Sequence, residues 1–111
     1  MSMRKMINWF LNLFGFGHKI FSYRIVSELP KNPQNDIVYI EGNAHVEDYW
    51  YALFKCPCGC GGTIMLNLIE DCKPSWKIYF NKKRFSIYPS IWRTKKCRSH
   101  FWLKNGKVVW A

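Results

Sequence analysis

At 111 residues the chain has room for one domain and not two, with a modest hydrophobic core. Its formal net charge of +10, from 17 Lys and Arg against seven Asp and Glu, directs attention to anionic partners: nucleic acid, an acidic protein or an anionic lipid surface. Five cysteines, an odd number with three of them too close together to pair easily, speak against a secreted disulfide scaffold and for a reducing, cytoplasmic compartment.

The chain opens with Arg4 and Lys5 followed by the apolar run from Met6 to Phe14. As a helix, this run places Arg4, Asn8 and Asn12 on a narrow polar stripe, with Gly15 and Gly17 ending it. It lacks a small-residue cleavage site and falls short of the ~20 apolar residues that span a bilayer. No transmembrane segment is expected. The predicted amphipathic helix packs on the domain or on a partner, or lies in a membrane interface as a peripheral anchor. The polar stretch from Leu29 to Asn35, with two prolines and two asparagines, marks a boundary. It separates residues 1–27, helix and connector, from residues 28–111, a zinc-binding β domain.

Short β-type runs fill the second part. They are Asp36–Glu41, Tyr49–Phe54, Thr63–Ile69, Ser75–Phe80, Arg84–Tyr88, Phe101–Lys104 and Lys107–Trp110. Asn81-Lys82-Lys83 reads as a hairpin turn, and Asn105-Gly106 is a strong type I′ signal. The expected fold is mainly β: a small antiparallel β domain with a Cys/His zinc site and one N-terminal amphipathic helix. Charge is segregated along it. All seven acids fall in residues 28–71, and residues 72–111 carry eleven Lys or Arg and no acid.

Two segments carry the chemistry. Cys56-Pro57-Cys58-Gly59-Cys60-Gly61-Gly62 joins two predicted strands, and Cys97-Arg98-Ser99-His100 precedes the last hairpin. Thiolates and imidazole suit tetrahedral zinc, and the intervening Pro and Gly let the chain turn tightly around an ion. Bringing the segments together closes a loop of 36 intervening residues, an entropic cost that coordination offsets. Five ligands compete for four places: Cys56, Cys58, Cys60, Cys97 and His100. If all four thiols bind, His100 is free for other work. An iron–sulfur site is the alternative, since the motifs differ from Rieske loops by Cys rather than His at position 58. Neither motif holds a Glu or Asp to act as a base, so a structural metal is expected. Cys72 stands outside both motifs as a small core or surface residue.

Taken together, these residues resemble the bacterial family catalogued as domain of unknown function 6527 (DUF6527). The resemblance rests on Leu29-Pro30, Val38-Tyr39, Trp50, the Cys56–Gly61 motif, Leu66-Asn67-Leu68, Pro74 and Trp76. It continues through Pro89-Ser90-Ile91-Trp92-Arg93, Cys97-Arg98-Ser99-His100-Phe101 and Val109-Trp110. The short amphipathic N-terminal helix is also similar to that of some members. Lys96 departs from the pattern, standing where Gly is common, and Cys72 is not part of it. The resemblance implies a setting beside ubiquitin-like proteins and their activating and conjugating enzymes. From that follows a role in processing or removing a ubiquitin-like modifier, or in scaffolding its transfer.

Hydrolysis would need a nucleophile and a base within hydrogen-bond reach. Ser90 and Ser99 are the candidate nucleophiles, and His100 is the base if it is not a ligand. Neighbours in an extended strand point to opposite faces, so Ser90 is the better partner for His100 than Ser99. Arg93 and Arg98 could hold a carboxylate or an oxyanion. The alternative function is a non-catalytic zinc module that binds nucleic acid or a partner protein through its basic C-terminal surface, with Trp76, Trp92 or Trp102 stacking on bases.

Overall fold

A computed structural model describes residues 19–94 and 97–111. Among the described residues eight strands follow in chain order: β1 (Ser22–Val26), β2 (Ile37–Asn43), β3 (Asp48–Lys55), β4 (Thr63–Asn67), β5 (Lys77–Asn81), β6 (Arg84–Trp92), β7 (His100–Lys104) and β8 (Lys107–Trp110). They form two four-stranded sheets, ordered β1-β2-β3-β4 and β5-β6-β7-β8. All neighbours are antiparallel except β1 and β2, which run parallel.

Period-two patterning explains how the sheets meet. Val38 and Ile40, Ala52 and Phe54, and Ile64 and Leu66 turn inward from the first sheet. Phe85, Ile87, Ile91, Phe101, Leu103 and Val108 turn inward from the second, and all belong to one buried cluster. Phe54 meets Phe101 across the interface edge-to-face, with ring centroids 6.4 Å apart. The β7–β8 hairpin turns through Asn105 (φ 49°) and Gly106 (φ 79°), the two left-handed residues that a type I′ turn requires.

The expectation of an antiparallel domain with an N-terminal helix needs correction. The described residues are all β, with no helix among them. The run from Met6 to Phe14 lies outside the described residues. The stretch read as a connector supplies β1 instead, in parallel register from Ser22↔Ile37 to Val26↔Glu41. The signal was Phe21, Tyr23 and Ile25 alternating with polar Ser22 and Arg24. Phe21 is buried against Phe54, and Tyr23 packs on Phe80 and Phe85. Nearby Pro and Asn residues masked that alternation, because they form the loop that returns the chain for a parallel pairing. Strand β6 also runs past Pro89 to Trp92, where the predicted strand stopped at Tyr88.

Candidate active site and metal centre

The site sits where β6 ends and β7 begins. Opposite register pairs are Ile87↔Leu103 and Ile91↔Phe101, so Tyr88, Pro89 and Ser90 on β6 face Trp102 alone on β7. This bulge carries a proline, which cannot donate to a ladder, and re-aims the residues beside it. After it the register resumes at Trp92↔His100. Buried Ile91 places Ser90 and Trp92 together on the outer face, where His100 also lies. Ser90 and His100 are thus diagonal neighbours on one face. Ser90 Oγ is 2.9 Å from His100 Nε2. The Trp76 indole N–H donates to the Ser90 carbonyl at 3.3 Å and holds the bulge from the other side. Trp92 stacks on the His100 ring, with centroids 5.4 Å apart and an interplanar angle of 23°.

Ser99 points the other way. It is 8% exposed, and its hydroxyl donates to Cys97 Sγ at 3.2 Å and lies 3.8 Å from Cys56 Sγ. The opposite orientation of Ser99 and His100, at the start of β7, therefore separates the two candidate serines: Ser90 on the imidazole, Ser99 among the sulfurs.

Those sulfurs form a compact group. The Sγ atoms of Cys56, Cys58, Cys60 and Cys97 all lie within 4.8 Å of one another, and His100 is not among them. The Cys/His site expected from the motifs is a four-cysteine group. The tight loop depends on Gly59 (φ 87°) and Gly61 (φ 82°), left-handed positions that a side chain would strain. Cys56 N–H donates to Gly62 O at 2.8 Å and closes it. Cys56 Sγ is 3.4 Å from Cys58 Sγ and 3.6 Å from Cys97 Sγ. Tetrahedral zinc with Zn–S near 2.3 Å sets sulfurs roughly 3.8 Å apart, near the Cys56–Cys58 and Cys56–Cys97 separations, and the whole group, within 4.8 Å, could hold a metal ion. Burial pushes the Cys56 thiol up to about 11. Hydrogen bonding, led by the Ser99 hydroxyl, holds Cys97 down to about 6 and also lowers Cys58. The protein alone therefore leaves these thiols in unequal states, whereas a bound divalent cation would favour all four thiolates. All five cysteines are free, and Cys72 is exposed away from the cluster.

Arg93 couples the two halves of the site. Its Nη1 donates toward Cys60 Sγ at 3.4 Å and Cys97 Sγ at 3.7 Å, and its backbone N–H donates to Ser99 O at 2.7 Å. A Cβ on Gly62 would meet that guanidinium at 2.7 Å, so the glycine makes room for it. Arg93 lies three residues after Ser90, and Ser99 lies one before His100. Arg93, expected at a carboxylate or oxyanion, contacts the sulfurs, which no feature of the motif spacing signals. The Trp92 stack on His100 has one signal in the sequence, the strand parity that Trp92 shares with Ser90. No helix among the described residues is long and apolar enough to cross a membrane.

Residues 25–111 match the family model described as "Bacterial ubiquitination-like system serine protease (BubE)", and the chain belongs to that family. The match supports the ubiquitin-like association that the resemblance implied, under this family's description rather than the DUF6527 name. No curated protein and no solved structure matches the chain.

Proposed function

We propose that the chain, as a member of this serine protease family, is a peptidase that processes or removes a ubiquitin-like modifier. In this reading Ser90 is the nucleophile and His100 the general base. The observation that carries it is the 2.9 Å contact between Ser90 Oγ and His100 Nε2 on the open face of the second sheet. That distance lies within the range a serine–histidine nucleophile needs. As Ser90 Oγ attacks the acyl carbon, its proton passes to Nε2. The same proton then goes to the departing amine as the tetrahedral intermediate collapses to an acyl-enzyme. Water next gives a proton to Nε2 while its oxygen attacks the ester carbon, and Ser90 leaves as the alcohol with that proton.

Cys56, Cys58, Cys60 and Cys97 would hold zinc in a closed, structural site, with all four positions filled by thiolates and none left for water. Such a site supplies cross-linking, while Arg93 and Ser99 lean on its sulfurs and orient the strands that bear Ser90 and His100. The reduced thiols accord with a cytoplasmic setting, and the modifier or its conjugating machinery is the partner. A non-catalytic module that binds nucleic acid or another protein through the basic C-terminal third is the competing reading. It assigns no task to the Ser90–His100 contact.

The test is cleavage of a ubiquitin-like protein carrying a C-terminal extension, with fluorophosphonate labelling read by mass spectrometry. Label on Ser90, and loss of cleavage in Ser90→Ala and His100→Ala with metal content intact, supports the assignment. Full cleavage by both variants rejects it.

A further inference from the structure

A catalytic histidine commonly has a carboxylate behind it to orient the ring and balance the imidazolium formed during proton transfer. Here no carboxylate side chain is hydrogen-bonded or ion-paired to the ring among the described residues. Residues 72–111 contain no Asp or Glu; Ala111 reaches His100 through its backbone N–H, which donates to the His100 carbonyl at 2.9 Å. The imidazolium would form within a segment carrying eleven Lys and Arg. What the ring does have is Trp92. The two residues are direct cross-strand partners, their rings are stacked 5.4 Å apart, and the indole is 65% exposed. An indole so exposed contributes little to the core, so burial does not account for its position.

We propose that Trp92 is a positioning residue that takes the place of the missing triad carboxylate: its indole face holds the His100 ring toward Ser90 and stabilises the imidazolium. The inference rests on the assignment of Ser90 and His100 made above. An indole face within about 6 Å of a cation attracts it through the ring quadrupole, and Trp is the strongest of the aromatic residues in this role. The proton from Ser90 Oγ arrives on Nε2 as the Oγ–carbon bond forms. At that moment the ring beside Trp92 gains its charge, so the attraction is felt more in the transition state than in the ground state. The stack also keeps Nε2 aimed at Oγ between turnovers.

The experiment replaces Trp92 site-specifically with 5-fluoro- and 5,6,7-trifluorotryptophan, which drain the ring face of electron density with little change of shape. Trp92→Phe and Trp92→Leu are made alongside. Hydrolysis of p-nitrophenyl acetate and of the extended ubiquitin-like protein is followed together with thermal midpoints. The expected result is a stepwise fall in kcat with fluorination, reaching about three- to thirtyfold, at unchanged KM and midpoint. Trp92→Phe should retain more activity than Trp92→Leu. A flat kcat across the fluorinated series, or equal rates for Phe and Leu, overturns the inference. Ester hydrolysis unaffected by Ser90→Ala instead removes the nucleophile assignment itself, and the Trp92 role falls with it.

Discussion

Stripping the metal tests the link between the cysteine cluster and the rest of the domain. The cluster ties Cys60, in the loop between β3 and β4, to Cys97, just before β7, and so joins one sheet to the other. Treated as a single cross-link, it closes a loop of about 40 residues, for which the chain-entropy relation gives about 4 kcal/mol. A domain of this size shifts its midpoint by about 4–8 °C per kcal/mol, so removal should lower it by roughly 15–30 °C. The measurement is thermal unfolding by circular dichroism before and after chelation, with metal content followed by elemental analysis and recovery on adding back zinc. Ser90-dependent hydrolysis should fall with the metal, because Arg93 and Ser99 lose the sulfurs' fixed positions on either side of the reacting pair. Cys97→Ala, which cuts the same cross-link, should reproduce both losses. A midpoint change below about 5 °C on full metal removal, with hydrolysis intact, would refute the cross-link argument.

Ser99→Ala should weaken zinc about 10–100-fold in chelator competition, as loss of an outer-shell hydrogen bond does, while Ser90-dependent hydrolysis survives under excess zinc. Hydrolysis lost with zinc retained would instead make Ser99 the nucleophile. Phe54→Ala removes a fully buried ring that touches Phe21 and Phe101, and should cost about 3–5 kcal/mol in denaturant unfolding. The second sheet carries no acid, so kcat/KM for an acidic polypeptide should drop with rising salt while that for a small neutral ester stays level. The nucleic-acid reading requires a steep log–log fall of affinity with salt, and no binding at low salt would remove it.

The identity of the spare ligand shows how far the primary structure reaches. Five metal donors for four places could be counted from Cys56 to His100, and strand parity already set Ser90 above Ser99 as partner for the imidazole. Neither the donor count nor the parity distinguishes the donor that stands apart. That depends on where His100 falls relative to the start of β7, and a one-residue change of register would send its side chain to the opposite face. The bulge at Tyr88–Ser90 likewise left only the weak signature of a proline within an apolar alternation. Strand β1 left an alternation of Phe21, Tyr23 and Ile25 that the neighbouring Pro and Asn residues masked, and its parallel pairing left none, since a partner across a ten-residue loop leaves no local pattern.

Local interactions therefore determined the strand runs of residues 37–110, the type I′ hairpin at Asn105-Gly106 and the glycine-turned thiol loop, because each depends on residues close in sequence. The all-cysteine group, the Ser90–His100 contact, the Trp92 stack and the bridging Arg93 are decided by tertiary structure. Each joins residues whose separation is set by sheet register and by the packing of one sheet on the other, and those distances exist only once the shared core around Phe54 and Phe101 has formed.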